Sequence, residues 1–458
     1  MTEFDAIIIG TGQAGPALAR RLAGEGARVA IVERGLFGGT CVNTGCTPTK
    51  ALVASAYAAH LAHRGAEYGV TIEGSIGIDM KRVKARKDSI VGASNTAVEA
   101  SLRRSENITV VQGHARFTSA REIAVGTANM TAARIFINVG GRPSIPPLPG
   151  LENVAYLTSS TILDLDEVPK HLLIMGGSYV GLEFAQIYRR FGSDVTVVEV
   201  GSRLIGREDP EISDTVRQIL ELEFIQLRLG ARVTKLDRSG TGISASVEDA
   251  TGLSRIEASH LLIATGRRPN TDDLGLERAG IATDARGYIQ VDDALRTNVP
   301  GIWALGECNG KGAFTHTAYN DFEIVAANVL GGGSRSVRDR IPAYALFTDP
   351  PLGRVGMTET EAVAAGHRVL VGSLPMENVS RAYEKGETLG LMKIVIDSES
   401  EEILGGAFFG TGGDEAVHCL LDLMYAKAPY TILQRVTHIH PTVAEFIPSL
   451  LDDLKTPD

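Results

Sequence analysis

One glycine-rich pattern occurs twice in this chain, and that duplication limits the fold more than any other feature of the sequence. The first copy reads DAIIIGTGQAGPALARRLAGEGARVAIVERG, and the second reads HLLIMGGSYVGLEFAQIYRRFGSDVTVVEVG. Each copy predicts a short apolar strand, a glycine turn, a helix and a second strand that ends in an acidic residue. The aligned copies share several glycines and the terminal acid, among them Gly10 with Gly176, Gly15 with Gly181, and Glu33 with Glu199. The pattern therefore predicts an α/β protein with two Rossmann-like dinucleotide-binding units.

The glycines of such a unit have a physical purpose at the turn. Gly10, Gly12 and Gly15 let the backbone approach a pyrophosphate, which then sits on free amides at the helix N-terminus. The acid at the end of the second strand can accept hydrogen bonds from an adenosine ribose. The second copy departs from the pattern, because Ser178 stands where its middle glycine is expected. A single glycine turn is often an ordinary strand-to-helix connection, but two copies with matched acids imply two bound dinucleotides.

A cysteine pair follows the first copy directly, in the segment GGTCVNTGCTPTK. We expect Thr47 and Pro48 to begin a helix, as its N-cap and its first-turn proline. Cys41 and Cys46 would then lie near a helix N-terminus, where the positive end of the dipole favours a thiolate. The neighbouring glycines allow the backbone to bring both sulfurs together. The segment therefore predicts a dithiol that opens and closes during a redox reaction.

Other uses of these thiols fit the sequence less well. A structural disulfide is unexpected in an intracellular chain with only four cysteines. Two inert thiols would not need the flanking glycines, the proline or Lys50. No second cysteine or histidine pair stands at ligand spacing, so we predict no metal site. Cys308 and Cys419 have no comparable context, and we expect them to be packing residues.

The two dinucleotide sites are predicted to hold different cofactors. The first copy adjoins the cysteine pair, so we place FAD there and an exchangeable NADH or NADPH in the second copy. Glu199 favours NADH, because a carboxylate suits a free 2′-hydroxyl and repels a 2′-phosphate. Arg203 and Arg207 follow closely and could serve a 2′-phosphate instead.

Composition excludes several classes of partner. The formal net charge of −10 repels phosphate backbones and anionic membranes, and 5% aromatic residues supply few stacking platforms. No apolar run approaches the ~18 residues that a membrane span needs. The opening MTEFDAIIIG lacks the basic lead and the cleavage site of a secretory signal. We therefore expect a cytoplasmic protein that binds neither nucleic acid nor membrane.

Several motifs together resemble the pyridine nucleotide–disulfide oxidoreductases, the family of dihydrolipoamide dehydrogenase, glutathione reductase and mercuric reductase. GGTCVNTGCTPTK is similar to the active-disulfide segment, particularly that of mercuric-reductase-like members. LLIATGRRPN resembles the strand that returns from the nicotinamide domain, and TNVPGIWALGECNG resembles the second FAD motif. HIHPTVAE is similar to the catalytic histidine–glutamate segment. The resemblance covers essentially the whole chain.

The resemblance implies a role for each matching residue around the flavin. Cys41 would attack the substrate, and Cys46 would be the thiolate in contact with the flavin. Lys50 would pair with Glu183 beside the flavin ring. Tyr179 would cover the nicotinamide pocket and move when NAD(P)H enters.

Further positions are implied in the cofactor motifs and in the C-terminal segment. Glu307 would contact the ribityl chain, where the family usually has aspartate. His440 would be the acid–base group and Glu445 its orienter, acting on the cysteine pair of the other subunit of a homodimer. The remaining predicted cofactor contacts are backbone or short side-chain positions of the same motifs: Gly39, Thr40, Gly140, Gly266 and Gly306.

The predicted organisation follows from the same motifs. We place the first part of the FAD domain at residues 1–150 and the NAD(P)-binding domain at 151–268. The second part of the FAD domain takes residues 269–335, and a C-terminal α+β dimerisation domain takes 341–458. Each limit marks a proline- or glycine-rich stretch or a change of pattern.

Three oxidoreductase functions are open from the sequence. In the first, NAD(P)H reduces the cysteine pair through FAD, and the pair reduces a small disulfide or another thiol-reducible acceptor. In the second, the chain is a dihydrolipoamide dehydrogenase of a multienzyme complex, although CVNTGCTPTK fits those enzymes less well. In the third it reduces a metal ion of the mercuric or copper type. We expect mercury to suit it less, because there is no N-terminal metal-binding domain and LLDDLKTPD holds no cysteine pair.

Overall fold

The computed structural model describes residues 2–457 and contains three sheets of five or more strands. The first sheet and the helices around it comprise β1 (Thr2–Ile9), α1 (Ala14–Gly24), β2 (Val29–Glu33), α2 (Gly39–Asn43), α3 (Cys46–His63), α4 (Met80–Arg104), β3 (Ile108–Gln112), β4 (Ala115–Ser119), β5 (Glu122–Val125) and β6 (Ala128–Ile137). The strand order is β3-β2-β1-β6-β5-β4. Strands β3, β2, β1 and β6 run parallel to one another. Strand β5 pairs with β6 in antiparallel fashion, and β4 pairs with β5 in the same way.

The apolar run of β1 reflects its place at the middle of this sheet. Ala6, Ile7, Ile8 and Ile9 are all buried, on both faces of the strand. A central parallel strand is covered on both sides, so it needs a continuous apolar segment rather than an alternating one. The strand ends at Gly10, which puts the glycine turn at the carboxyl edge of the sheet.

A second unit repeats this arrangement. Its elements are β7 (Gly141–Pro143), β8 (Leu157–Thr158), β9 (His171–Met175), α5 (Tyr179–Phe191), β10 (Asp194–Glu199), α6 (Pro210–Leu222), β11 (Gln226–Leu229), β12 (Arg232–Ser239), β13 (Gly242–Asp249), β14 (Gly252–Ala258), β15 (His260–Ile263) and β16 (Arg267–Pro269). Five of the strands form a parallel sheet in the order β11-β10-β9-β15-β8, and β12, β13 and β14 form an antiparallel sheet. The chain leaves the first unit through β7 and returns through β16, and these two strands pair with each other.

The remaining elements complete the first unit and build a third. They are α7 (Leu276–Ala279), β17 (Ile302–Ala304), α8 (Thr315–Leu330), β18 (Ala343–Leu346), β19 (Leu352–Gly356), α9 (Glu359–Ala364), β20 (Val369–Pro375), α10 (Ser380–Glu384), β21 (Leu391–Asp397), β22 (Ile403–Phe409), α11 (Gly413–Ala416) and α12 (His418–Tyr425). Strand β17 pairs with β6 in the first sheet, and the last five strands form an antiparallel sheet in the order β18-β19-β22-β21-β20. The predicted fold class, with two Rossmann-like units and a C-terminal α+β part, is confirmed.

The start of α3 differs from the prediction. The helix begins at Cys46 and its N-cap is Gly45, so Thr47 is not the cap and Pro48 is the third helical residue. A proline fits there because the first four N–H groups of a helix have no partner within it. Gly45 packs closely against α2, since a Cβ there would lie 2.8 Å from the Thr40 carbonyl oxygen. The shift places Cys46 in the first turn of the helix.

Within residues 2–457, no helix combines the length and the apolar character that crossing a bilayer requires.

Candidate active site

The first glycine turn is tightly packed against the end of β6. Gly10 has φ +103°, and a Cβ there would lie 2.3 Å from the Asn138 carbonyl oxygen. A Cβ on Gly15 would lie 2.3 Å from the Gly10 carbonyl oxygen. The buried Asn138 side chain accepts a hydrogen bond from the Gly15 amide (3.0 Å) and donates one to the Leu305 carbonyl (3.0 Å). Only glycine fits these positions, and Asn138, which the sequence analysis missed, connects the turn to the second FAD motif.

Glu33 is buried at the end of β2 and faces this turn. Its Oε2 accepts hydrogen bonds from the amide (2.9 Å) and hydroxyl (2.6 Å) of Thr11, and its Oε1 accepts one from the Gly35 amide (2.8 Å). A carboxylate offers about four acceptor positions. Glu33 therefore holds the turn in shape and keeps acceptor capacity for a ribose hydroxyl.

A cleft runs from Glu33 along the glycine turn to Cys41. A Cβ on Gly39 would lie 2.7 Å from the Gly12 Cα, so the two glycines bring α2 against the turn. Nine predicted residues line this cleft: Gly10, Gly12, Glu33, Gly39, Thr40, Cys41, Gly140, Gly306 and Glu307. The residues fit an FAD, with a ribose acceptor at one end, glycine amides in the middle and a thiol at the other end.

The two cysteines meet at the junction of α2 and α3. Cys41 lies within α2, Cys46 opens α3, and both are free thiols. The Cys46 sulfur lies 3.3 Å from the hydroxyl oxygen of Thr315, the first residue of α8. Hydrogen bonding from the Cys41 thiol lowers the pKa of Cys46 to about 6, and Thr315 and the charge of Lys50 act in the same direction. The same thiol–thiol interaction, together with burial, raises the pKa of Cys41.

Lys50 and Glu183 form an ion pair, as the family resemblance implied. The Lys50 Nζ lies 2.5 Å from the Oε2 of Glu183, and Glu183 is buried in α5. The other carboxylate oxygen accepts a hydrogen bond from the Phe347 amide (3.0 Å), and Lys50 lies 4.4 Å from the centre of the Phe347 ring. The pair connects the cysteine helix α3 to α5 of the second unit, one turn beyond Cys46.

The second glycine turn repeats the first with fewer side-chain contacts. A Cβ on Gly176 would lie 2.5 Å from the Ala264 carbonyl oxygen, and one on Gly181 would lie 2.1 Å from that of Gly176. Glu199 accepts hydrogen bonds from the amides of Gly177 (2.6 Å) and Gly201 (2.7 Å). Ser178, in the place of the middle glycine, is the N-cap of α5 without a side-chain capping bond.

A second cleft lies beside this turn. Four predicted residues line it: Gly176, Tyr179, Glu199 and Gly266. The mostly buried Tyr179 ring lies 5.6 Å from that of Phe314, the residue before Thr315. Arg203 is directed to Asp214, at 3.7 Å, in an exposed ion pair. The cleft fits a nicotinamide dinucleotide, with the Glu199 carboxylate as its ribose acceptor.

Glu307 makes a contact that the sequence did not indicate. Its two carboxylate oxygens pair with the Nε and Nη2 of Arg267, at 2.6 and 3.0 Å. Arg267 stands at the start of β16 and also lines the second cleft. The predicted FAD contact and a residue of the nicotinamide cleft are therefore directly connected.

His440 and Glu445 also lie together, away from the cysteines. The His440 Nδ1 is 2.9 and 3.1 Å from the two Glu445 carboxylate oxygens, and 73% of the His440 side chain is exposed. Neither cysteine is a hydrogen-bond partner of His440 in the described part of this chain. The neighbouring His438 has a buried Nδ1 without a partner among residues 2–457. Within the described residues, the histidine–glutamate pair and the thiol pair are therefore not joined by a hydrogen bond.

Sequence reasoning missed Asn138, Arg267, Phe314 and Thr315. Arg267 stands inside the quoted motif LLIATGRRPN, but the motif does not say where its side chain points. The others lie outside the quoted motifs, and only the packing brings them to the clefts. No group of three or more histidine, cysteine or acidic side chains in the described residues could hold a metal ion.

Comparisons with known proteins match nearly all of the chain. The family described as "Pyridine nucleotide-disulphide oxidoreductase" matches residues 4–321, and its dimerisation domain matches residues 342–450. The probable pyridine nucleotide-disulfide oxidoreductase RclA of Escherichia coli is 35% identical over 99% of this chain and 100% of its own length. Mercuric reductase of Streptomyces lividans is 37% identical (97% and 94% covered), and dihydrolipoyl dehydrogenase of Thermus scotoductus is 35% identical (97% and 96%). The solved Cu(II) complex of the HOCl-induced flavoprotein disulfide reductase RclA superposes with a TM-score of 0.89, at 34% identity over 97% of this chain and 98% of that one.

Proposed function

Because this chain belongs to the pyridine nucleotide–disulfide oxidoreductases, we propose that it reduces a small disulfide at Cys41 and Cys46, with electrons taken from NADH. The chain is an FAD-dependent NAD(P)H oxidoreductase acting on a sulfur group. The cleft lined by Gly10 and Glu33 would hold FAD, which would supply the two-electron chemistry between NAD(P)H and the cysteine disulfide. The feature that supports the proposal best is the unequal thiol pair, in which the pKa of Cys46 is lowered to about 6 and that of Cys41 is raised.

The unequal pair suits disulfide exchange. The reduced pair starts as a Cys46 thiolate and a Cys41 thiol, and a base removes the Cys41 proton. The Cys41 sulfur attacks the acceptor disulfide, forms a mixed disulfide and releases the first thiolate, which takes that proton. The Cys46 thiolate then attacks the Cys41 sulfur and releases the second thiolate, which takes a proton from water. Two electrons leave the dithiol, the Cys41–Cys46 disulfide forms, and the acceptor becomes two thiols.

We assign the base to the partner subunit's His440. The match of residues 342–450 to the family's dimerisation domain supports a homodimer. His440 is exposed in the single chain, and the adjacent Ile439 is 80% exposed, as expected of a segment that a second subunit covers. The Glu445 carboxylate at 2.9 Å would hold the Nδ1 proton of His440, so that Nε2 is free to accept one.

Lys50 and Glu183 would flank the flavin. The Lys50 charge favours the Cys46 thiolate, and the ion pair with Glu183 holds the ammonium one helical turn from it. Tyr179 would cover the nicotinamide cleft against Phe314 until NAD(P)H displaces it. These roles rest on the positions of the side chains and on the family resemblance.

Glu199 supports NADH as the preferred donor. Its carboxylate is held by two backbone amides at the edge of the second cleft, where a 2′-phosphate would meet its charge. Arg203 pairs with Asp214 instead. Stopped-flow reduction of the enzyme by NADH and by NADPH tests the preference, and equal second-order rate constants would contradict it. A donor of this kind, and a working dithiol, suit the reducing conditions of the cytoplasm.

A steady-state screen tests the acceptor. NADH oxidation is measured with glutathione disulfide, cystine, lipoamide and Hg(II), with Cys41→Ser as the matched inactive control. We expect turnover with at least one disulfide and none with the control. Turnover with lipoamide alone would favour a dihydrolipoamide dehydrogenase, and turnover with no disulfide would refute the proposal.

Cu(II) reduction is a second candidate, because a 34% identical structure covering 97% of this chain is a Cu(II) complex. The Cys46 thiolate and the Cys41 thiol would give one electron to each of two Cu(II) ions, form the Cys41–Cys46 disulfide and release the single Cys41 proton. The same assay with Cu(II) and a Cu(I)-specific chelator tests it. Chelator colour that Cys41→Ser abolishes would support this function, whereas equal colour with both proteins would exclude the thiols.

A further inference from the structure

The junction between the two clefts contains an arginine–glutamate pair that no predicted role explains. Arg267 donates to both oxygens of Glu307, at 2.6 and 3.0 Å, and its Nη2 also donates to the Gly141 carbonyl, at 2.8 Å. Only 20% of the Arg267 side chain and 13% of the Glu307 side chain are exposed. Two parallel bonds between a guanidinium and a carboxylate fix both groups in position and in orientation.

The backbone around the pair leaves room for the longer side chain of glutamate. A Cβ at Gly141 would lie 2.7 Å from both Cδ and Oε2 of Glu307, so that any larger residue there would displace the carboxylate. Gly141 and Arg267 stand on the paired strands β7 and β16, where the chain leaves and re-enters the first unit; in this ladder Gly141 lies opposite Pro269 and Arg267 opposite Pro143. Gly141 thus leaves space for the Glu307 carboxylate, and the Arg267 guanidinium holds the carboxylate there.

The charges of the pair also compensate each other. Burial by itself would lower the pKa of Arg267, but its hydrogen bonds and attraction to Glu307 raise the pKa above the usual value. Glu307 lines the first cleft, so a dinucleotide bound there would remove water from its carboxylate. A carboxylate that loses water without a partner is strongly disfavoured, and more so near phosphates.

We propose that Arg267 is a positioning residue for FAD. From the nicotinamide side of the junction, the Arg267 guanidinium holds the Glu307 carboxylate in place and compensates its negative charge. The inference rests on the placement of FAD in the cleft beside Gly10. It predicts that replacing Arg267 weakens FAD binding only while residue 307 carries a negative charge. Tight flavin binding is therefore set in part by a residue of the second cleft.

The test measures the affinity of the apoprotein for FAD in four variants. Arg267→Met leaves the carboxylate without its cation, and we expect the Kd for FAD to rise at least about tenfold. Adding Glu307→Gln removes the unpaired charge, and the double variant should recover most of the affinity. Glu307→Gln alone leaves the arginine unpaired near the FAD phosphates, and its Kd should rise less than that of Arg267→Met. Arg268→Met is the matched control, because Arg268 is the exposed neighbour on β16, and it should bind FAD as the wild type does.

A second readout separates positioning from a merely structural effect. An unpaired carboxylate beside the flavin disfavours added electrons, so Arg267→Met should lower the two-electron reduction potential of bound FAD, and Glu307→Gln should restore it. The inference is overturned if Arg267→Met binds FAD as tightly as Arg268→Met. It is equally overturned if the double variant binds no better than Arg267→Met.

The inference can still be tested if a variant does not fold. If Arg267→Met does not fold, Arg267→Lys replaces it, since lysine keeps the charge but cannot make two parallel bonds. A several-fold higher Kd for Arg267→Lys supports the inference, and an unchanged Kd contradicts it. FAD affinity does not involve the electron acceptor. If the FAD Kd values follow the expected order but the wild type turns over no disulfide, the result counts against the proposed acceptor alone.

Discussion

The thiol half and the acid–base half of the proposed active site are built in opposite ways. Cys41 and Cys46 lie on the adjoining helices α2 and α3, and the Cys46 sulfur already contacts the Thr315 hydroxyl within the chain. His440 and Glu445 contact each other, but 73% of the His440 side chain faces solvent. If the proposed assignment of His440 is right, one chain prepares the redox pair, whereas proton transfer depends on the assembly of two chains.

The sharpest way to break this comparison uses two inactive variants. Cys41→Ser removes the attacking sulfur, and His440→Gln removes the base. We expect Cys41→Ser homodimers to lose disulfide reduction by at least about 10³-fold, because no other group can take over the nucleophile. Turnover of NADH with the disulfide acceptor measures the loss.

Mixing the two variants decides whether the site is shared. A heterodimer of Cys41→Ser with His440→Gln contains one intact pair of thiol and base only if they come from different subunits. Such a heterodimer, purified with two different tags, should regain about half of the wild-type rate. If it stays as inactive as its parents, the base acts within its own chain.

Replacing His440 should lower turnover more than replacing Glu445. His440→Gln should lower turnover about 10²- to 10⁴-fold, as expected for loss of a general acid–base group. Glu445→Gln keeps a hydrogen bond to the ring and should cost less, because it weakens only the orientation and basicity of His440. The pH dependence of kcat/KM is the measurement, and an effect of Glu445→Gln larger than that of His440→Gln would contradict the assignment.

The thiol half should titrate independently of the second chain. Because the pKa of Cys46 is lowered to about 6, the thiolate is present above that pH and is lost as the pH falls through it. The two-electron-reduced enzyme should therefore show a long-wavelength thiolate–flavin absorbance that fades with a midpoint near pH 6. Lys50→Met should move the midpoint upwards, whereas Lys50→Arg, which keeps the charge, should move it less. A midpoint at the usual pH for a thiol would disprove the proposed Cys46 environment.

The smallest effect is expected at Thr315. Thr315→Ala removes a hydroxyl 3.3 Å from the Cys46 sulfur, a hydrogen bond worth about 0.5–1.5 kcal/mol. The Cys46 pKa should rise by about one unit or less, and Thr315→Ser should leave it almost unchanged. The same spectroscopic titration measures both, and identical shifts for the two variants would mean that the hydroxyl makes no contribution.

Motifs whose chemistry depends on spacing were the most predictable part of the molecule. The two glycine turns require glycine for steric reasons that are local to a strand–turn–helix unit, as Gly10 and Gly176 illustrate. The Lys50–Glu183 contact was implied by the family resemblance, and the structure brings the two side chains together. The start of α3 was predicted two residues late, because Gly45 rather than Thr47 is the N-cap, and its close approach to the Thr40 carbonyl oxygen is a contact that the local pattern does not signal.

By itself, the sequence determined the α/β class, the two dinucleotide turns, the redox cysteine pair and the histidine–glutamate pair, since each depends on neighbours a few residues apart. Only the tertiary structure brought Asn138 to the first turn, Thr315 to Cys46 and Arg267 to Glu307. These contacts join residues from 40 to 269 positions apart. The strand order and the return of the chain through β16 decide which of these residues meet. Neither can be read from the spacing of residues along the sequence.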